Sequence, residues 1–509
     1  MTAVTTADVL RLHPDDEVAV AVTELPTGHP LPGGGRTREP VPRGHKVATM
    51  GVPDGAPVHK YGQVIGRAAG PIEVGEHVHT HNLAYQPVGA EYEFGSTAWL
   101  PEPVPDADRA TFEGYVRSDG RVGTRNYIGV LSSVNCSATA VRRIAEEARL
   151  SGMLGDFPHV DGVVPLTHGT GCGIGDDTGL EMLRKVMRGY LGHPNFYGFL
   201  VIGLGCEHNE IAGIVGDSGA RSSMPLVKST IQDLGGTTRT VREGLARIRE
   251  ILPDADRERR ATVPASELVL GTNCGGSDGY SGITANPALG AAVDLLVRHG
   301  GTGVLAETPE VYGAEHLLTR RAIDREVGQK LLDRIAWWEE YLAAHGGTMD
   351  NNPSPGNKDG GLTTILEKSL GAVAKGGTTA LRDVVGYADP ITSKGFVFMD
   401  TPGYDPVSVT GLVAGGANLV CFTTGRGSAF GCKPVPSIKL ATTSELYRRM
   451  EEDMDVDAGV VLDGSTTIEG LGEQIFDLAL RTASGLPTKS EELGYGDEEF
   501  VPWQVGAVI

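Results

Sequence analysis

The sequence predicts an α/β protein: a small β-rich N-terminal domain followed by two α/β parts with mainly parallel sheets. Three observations carry this. Up to Pro105 the chain reads as short alternating segments separated by Gly, Pro and Asp. From Phe112 onward strand-like apolar runs alternate with helix-periodic ones, the order that builds parallel sheets. Four of the six cysteines, Cys136, Cys172, Cys206 and Cys274, each follow a short apolar run and precede a helix-like segment. Such turns lie at the carboxyl edge of a parallel sheet, where open α/β folds bind ligands.

In the N-terminal domain, residues 1–105, strands are expected at Val18–Val22, Lys46–Met50, Pro57–Ile65 and His77–Asn82. Pro101–Asp108 is Pro-rich and acidic, and reads as a linker. In the second part, residues 112–252, strands Tyr127–Val134, Gly162–Leu166 and Gly198–Gly203 alternate with helices Ala138–Arg149, Thr178–Leu191 and Val241–Ile251. Pro253–Glu267 is a charged junction. The C-terminal part, residues 265–509, restarts the alternation. Strand Leu268–Gly271 leads to helix Pro287–His299, strand Gly303–Glu307 and a long helical stretch, Leu317–Ala343. Asn351–Gly361 is too rich in Pro and Gly for regular structure. Helix Leu362–Lys375 and strands Gly395–Met399, Leu419–Thr423 and Ser437–Thr442 complete it. The two α/β parts share one sheet or hold two; sequence alone leaves both open.

The composition, 40% hydrophobic and 21% charged over 509 residues, is that of a globular chain with several domains. The net charge of −21 argues against nucleic-acid and anionic-membrane partners, which need clustered basic surface. No apolar run reaches the roughly 18 residues of a membrane helix, and the N-terminus lacks a signal-peptide pattern. Six cysteines in so long a chain are not a disulfide framework, so a cytoplasmic setting is expected.

Four motifs bear on chemistry. The first is EHVHTHN, with His77, His79 and His81 alternating along an expected strand and so facing one side. Imidazoles so placed suit Fe, Zn, Mn or Ni. His79 and His81 are taken as ligands and His77 as structural. The second is the cysteine set, which fits either one transition metal or an iron–sulfur cluster with three or four thiolates. Cys421, inside the apolar run LVCFTT, reads as core, and Cys432 carries no assignment. The third is polar text beside the thiols: His168, Glu207 and His208, and Ser277 with Asp278. Glu207 or Asp278 could be a ligand or base; Ser277 and Asp278 could equally be helix caps. The fourth is Arg125, Lys358 and Arg426 in Gly-rich loops, natural clamps for a carboxylate, with Lys433 read as a surface charge. A P-loop, a dinucleotide turn opening a helix after the first strand and a GxSxG elbow are absent, which leaves nucleotide chemistry and serine hydrolysis little support.

RGHKVA, YGQVIGRA and EHVHTHN resemble the SAF-type domain of the altronate/galactarate dehydratase family. FEGYVRSDGRVGTRN, HGTGCG, VIGLGCE, CGGSDGYSGITANP, NPSPGNKDGG and FTTGRGSAFG resemble its main body. The resemblance runs in order from about Asp16 to the C-terminus, and EHVHTHN is similar to the altronate-type branch. It implies a dehydratase acting on a sugar acid, altronate first, to give a 2-keto-3-deoxy sugar acid. Galactarate dehydratases and sulfolactate-type carbon–sulfur lyases are the family alternatives, and a sugar-acid-binding redox sensor the non-enzymatic one. It also implies a divalent metal, Fe²⁺ or Mn²⁺, on His79 and His81, with Cys172, Cys206 and Cys274 as an alternative or additional iron site, an iron–sulfur cluster included. His168 or Glu207 would transfer protons, Lys358 and Arg426 would hold the substrate carboxylate, and a homo-oligomer is expected.

Overall fold

The computed structural model of the protein describes residues 4–6, 8–87, 89, 91–175, 177–216 and 223–506. The N-terminal domain is two antiparallel sheets. One runs in the order Val4–Thr6, Val9–Arg11, Val18–Ala21, Lys46–Ala48, His77–Val78. The other holds Pro57–Lys60, Gln63–Ala68 and Leu83–Ala84. The expected single strand Pro57–Ile65 is therefore a hairpin. Tyr61 and Gly62, at φ 64° and 69°, form its two-residue turn with both central residues left-handed. The expected strand His77–Asn82 stops at Val78. Its continuation is a turn in which the His79 N–H donates to Asn82 Oδ1 (2.9 Å) and the Asn82 N–H to the His79 carbonyl (3.0 Å). An Asx side chain offering a local bond outcompetes the ladder here.

The second part holds a parallel sheet in the order Gly162–Leu166, Tyr127–Ser132, Phe196–Gly203, Leu226–Thr230. Alternation along its central strand divides the core. Ile128 and Val130 pack with Val141, Ile144, Ile248 and Leu252 from helices Ala138–Leu150 and Thr237–Ala255. Leu131 on the opposite face joins Leu183, Val186 and Met187 from helix Thr178–Gly192. The edge strand Leu226–Thr230, half-exposed and carrying Lys228, lacks the apolar run that marks the others.

The C-terminal part builds its own seven-stranded parallel sheet: Leu381–Val385, Gly395–Met399, Thr302–Leu305, Val269–Cys274, Leu419–Thr424, Ser437–Ala441, Val456–Asp457. The two α/β parts thus hold separate sheets. The junction Pro253–Glu267 is no free linker, because Arg260–Pro264 pairs antiparallel with Thr111–Val116. The long helix expected at Leu317–Ala343 is two, Glu315–Thr319 and Arg325–Ala344. The second restarts where the Asp324 side chain accepts from the Val327 N–H. Within Asn351–Gly361 a short helix, Pro355–Asp359, does form, nucleated by a capping box between Ser354 and Asn357. Among the described residues no helix is long and apolar enough to cross a membrane.

Candidate active site

The carboxyl edge of the seven-stranded sheet opens into a cavity of about 530 Å³, lined among others by Cys274, Glu310, Asn352, Asn357, Lys368 and Asp405. Strand Val269–Cys274 delivers its thiol at its last residue, and the turn after Thr302–Leu305 delivers two acids. Glu307 is held left-handed there (φ 73°), a strained conformation for a non-glycine residue inside the fold. Two lysines from one helical segment enter from the side. Lys375 Nζ lies 2.8 Å from Cys274 Sγ and 2.9 Å from Glu307 Oε2. Lys368 Nζ lies 2.6 Å from Glu310 Oε1 and 2.7 Å from Asn352 Oδ1. The Cys274 thiol faces Glu310 Oε2 at 3.1 Å.

Charge in this pocket is set by burial against pairing. Burial, then the negative charge of Glu310, pushes the Cys274 thiol up, so it stays protonated. Burial opposes the Glu310 carboxylate too, but Lys368 and Lys375 outweigh it and hold that acid low. Burial and the adjacent Glu310 push Glu307 up to about 8. Asp405, at the start of helix Asp405–Ala414, accepts from Asn273 Nδ2 at 3.1 Å. Burial and then Glu310 raise it to about 7, the value a general acid–base needs near neutral pH. A side chain at Gly275 would come within 2.3 Å of Asp405 Oδ2, so glycine there lets the carboxylate reach the strand end.

The second constellation is histidine. Nitrogens of His45, His77 and His79 lie within 4.8 Å of one another, with His45 Nδ1 3.0 Å from His77 Nε2. Burial, then the neighbouring His45, lowers His77 to about 3. Burial, then Lys46, lowers His79 to about 4. Burial lowers His45 as well, so all three are neutral at physiological pH. His79 Nδ1 is buried with no hydrogen-bond partner. Neutral nitrogens converging on one point, one of them orphaned, fit a divalent cation. Cys274, Glu307 and Glu310 also converge, but the Lys368 and Lys375 ammonium groups already occupy them as partners. The helix Pro355–Asp359 joins the two constellations. Asn357 lines the cavity, and the Asp359 carbonyl is 3.2 Å from His45 Nε2.

The sequence-predicted residues divide into three groups. Ser277, Asp278 and Arg426 come together around the Pro355–Asp359 helix that carries Lys358, beside the cavity-lining Gly276 and Asn357. The Ser277 carbonyl accepts from Asn357 Nδ2 (2.8 Å), and its hydroxyl is buried and unpartnered. Asp278 is buried and accepts from Tyr280 N–H, Ser281 Oγ and Thr442 Oγ1, a turn-capping role. Lys358 is half-buried and Arg426 exposed. A side chain at Gly360 would meet Asp278 Cβ at 3.0 Å and Arg426 Cδ at 3.3 Å, which shows how closely these segments approach.

A second group lies away from the cavity. Arg125 has all five N–H donors engaged, two on Glu491 and three on the carbonyls of Thr124, Thr482 and Leu486. It binds chain to chain and keeps no donor for a substrate. His168 bonds the Ser132 carbonyl through Nε2 (3.0 Å) and the Thr170 N–H through Nδ1 (3.3 Å). Glu207 accepts from Ser133 Oγ and the Gly205 N–H, both at 2.6 Å. Cys172 and Cys206 are exposed on the four-stranded sheet, apart from the buried Cys274 on the other sheet.

The histidine strand forms the third group. His79 joins the triad, His77 joins it as well, and His81 is exposed with its ring 5.5 Å from that of His77. The turn at His79–Asn82 explains the change, since it destroys the period-two alignment. Reading from sequence missed His45, Glu307, Glu310, Lys368, Lys375 and Asp405. Only His45 stood in a quoted string, RGHKVA.

Three family models match in succession: the altronate/galactarate dehydratase SAF domain over residues 7–86, the D-galactarate dehydratase/altronate hydrolase second domain over 114–256, and the D-galactarate/altronate dehydratase C-terminal domain over 265–508. With the dehydratase relatives that follow, these matches make the chain a hydro-lyase. The chain is 38% identical over 488 residues to the galactarate dehydratase (L-threo-forming) of Escherichia coli (strain K12), covering 94% of this chain and 93% of that one. It is 35% identical over 482 residues to the altronate dehydratase of Bacillus subtilis (strain 168), covering 94% and 95%. It is 32% identical over 395 residues to the (2R)-sulfolactate sulfo-lyase subunit beta of Chromohalobacter salexigens, covering 77% and 96%. The chain belongs to the altronate/galactarate dehydratase family.

Proposed function

We propose that the protein dehydrates a sugar acid, altronate first among candidates, to a 2-keto-3-deoxy sugar acid and water, using Fe²⁺ or Mn²⁺. The observation that carries the reading is the pairing in one cavity of Asp405, poised near 7, with the Lys368 ammonium. Lys368, its three donors fixed on Glu310, Asn352 and Asn357, would act as a fixed positive charge beside the cavity, stabilising the negative charge that grows on a substrate carboxylate when the C2 proton leaves. Asp405 takes that proton. Returned to the departing 3-hydroxyl, it completes a molecule of water and restores the base, and the enol left behind tautomerises to the 2-keto acid. His45, His77 and His79 would hold the metal, which when bound supplies Lewis acidity toward substrate oxygens. Ser277, Lys358 and Arg426, beside the cavity-lining Gly276 and Asn357, would position the rest of the polyol chain.

A cytoplasmic homo-oligomer belongs to the same reading; six free cysteines support a reducing compartment. Galactarate stays beside altronate as substrate, because the galactarate-dehydrating relative matches at 38% identity and the altronate-dehydrating one at 35%. The test is a substrate panel. The full chain with Fe²⁺ is incubated with altronate, galactarate and sulfolactate, 2-keto acids are trapped with semicarbazide, and sulfite is measured. Keto acid from altronate or galactarate is expected. Sulfite from sulfolactate, with no keto acid from either sugar acid, would overturn the dehydratase reading.

A further inference from the structure

We propose that Cys136, Cys172 and Cys206 together hold an iron–sulfur cluster at the carboxyl edge of the four-stranded sheet. The thiols follow three strands that are consecutive neighbours in that sheet: Gly162–Leu166, Tyr127–Ser132 and Phe196–Gly203. At about 4.8 Å between parallel strands, the three exits lie within about 10 Å of one another.

The loops beyond those exits are built as one unit. The Asn135 N–H donates to the Thr170 carbonyl (2.9 Å), and the Asn209 N–H to the Gly171 carbonyl (3.0 Å). The Asn209 side chain donates to the Ser133 carbonyl (2.9 Å). His168 and Glu207 bind the same frame through Ser132 and Ser133. A side chain at Gly171 would strike the Ser133 carbonyl at 2.6 Å, so the Cys172 and Cys136 loops are in contact through backbone. Polar groups of this frame, Ser133, His168, Glu207 and Asn209, are thus buried and satisfied, while all three thiols are free and exposed.

Core packing does not explain such thiols, since a packing cysteine is buried. Spacing selects the occupant. Among the described residues, the sets of three ligand atoms within 4.8 Å of one another are the histidine triad and the Cys274 group; the three thiols are not such a set. A single zinc, with Zn–S bonds of about 2.3 Å, would draw its sulfurs closer than that. A polynuclear cluster puts several irons and sulfides between its thiolates, so its ligand sulfurs sit farther apart than those of a single metal. Gln232 Nε2, 3.6 Å from Cys206 Sγ, supplies the amide hydrogen bond to sulfur by which such clusters are tuned. Three thiolates leave one iron of a four-iron cluster without a protein ligand, open to an oxygen donor. The ligand set differs from one containing Cys274, whose thiol is buried on the other sheet beside Lys375. It does not depend on which acid is the substrate.

The full-length chain, purified without oxygen and incubated with ferrous iron and sulfide, is assayed for iron, acid-labile sulfide and zinc, and after reduction by electron paramagnetic resonance. Iron and sulfide in near-equal amounts with a reduced-cluster signal are expected. Cys136→Ala, Cys172→Ala and Cys206→Ala should each lose nearly all the sulfide while staying folded, with a thermal midpoint equal to that of the cluster-free parent chain, because the side chains are exposed. His79→Ala should keep it. Iron without sulfide, zinc alone, or sulfide retained in Cys136→Ala overturns the proposal.

Discussion

Lys46 and Glu367 meet across the junction of the N-terminal domain and the C-terminal sheet, Nζ to Oε2 2.8 Å, both fully shut from solvent. Lys60 reaches the other carboxylate oxygen at 2.8 Å. Burial opposes ionisation of Glu367, yet the two ammonium groups outweigh it and hold the acid far below its usual range. One carboxylate serves two lysines unequally. Burial lowers Lys46 to about 8, whereas pairing with Glu367 overcomes burial at Lys60 and keeps it charged. This buried cluster ties the histidine-bearing domain onto the catalytic body, since Lys46 adjoins His45.

Glu367→Gln leaves both lysines buried without a counter-charge. A loss of about 3–5 kcal/mol is expected, read as a lower urea or thermal midpoint. The pH dependence follows from a depressed carboxylate. Its stabilisation is complete above the unfolded value of about 4.3 and is lost as pH falls below it. The variant should lose that part of the acid sensitivity. An unchanged midpoint would show that the cluster does not hold the domains together.

Asp405→Asn should lower kcat by about 10²–10⁴-fold with little change in folding. Because the base must be ionised, kcat/KM in the parent protein should fall as pH drops below about 7. The same acid limb persisting in the variant would assign proton transfer to another group.

Metal binding should track three histidines. His45→Ala, His77→Ala and His79→Ala should each lose Fe²⁺ or Mn²⁺, measured by elemental analysis and titration calorimetry, while His81→Ala retains it. With His77 and His79 lowered to about 3 and 4, imidazole protonation should not release the metal at pH 5–6, where a free histidine would already compete. Metal retained in His45→Ala is the outcome that sinks this triad.

Arg125→Ala should destabilise the fold by about 3 kcal/mol, because it removes the counter-charge of half-buried Glu491 and the side-chain donor to the Leu486 carbonyl. The folded fraction should keep its KM. A raised KM at unchanged stability would return Arg125 to the substrate.

The reading from sequence went far where chemistry is local. Gly162–Leu166 and Gly395–Met399 appear with the expected bounds, as buried β-rich runs between turn residues should. Motif loops around Ser277, Lys358 and Arg426 converge because Gly-rich strings mark close backbone approach. The cavity lysines and acids were not legible. Lys368 and Lys375 fall in the expected helix Leu362–Lys375 with nothing to mark them, Glu307 at the end of an expected strand and Glu310 just beyond it. Only burial makes those side chains chemically unusual.

Periodicity and turn chemistry, written within a dozen residues, were enough to give the α/β class, the mainly parallel pairing and the placing of four thiols just after strands. Tertiary structure alone decided which thiols belong together. Cys136, Cys172 and Cys206 share one sheet and Cys274 the other, a matter of which strands pair across long stretches of chain. It also decided that His45 rather than His81 completes the histidine triad, since a single Asx turn at His79–Asn82 ends the strand that would have aligned them.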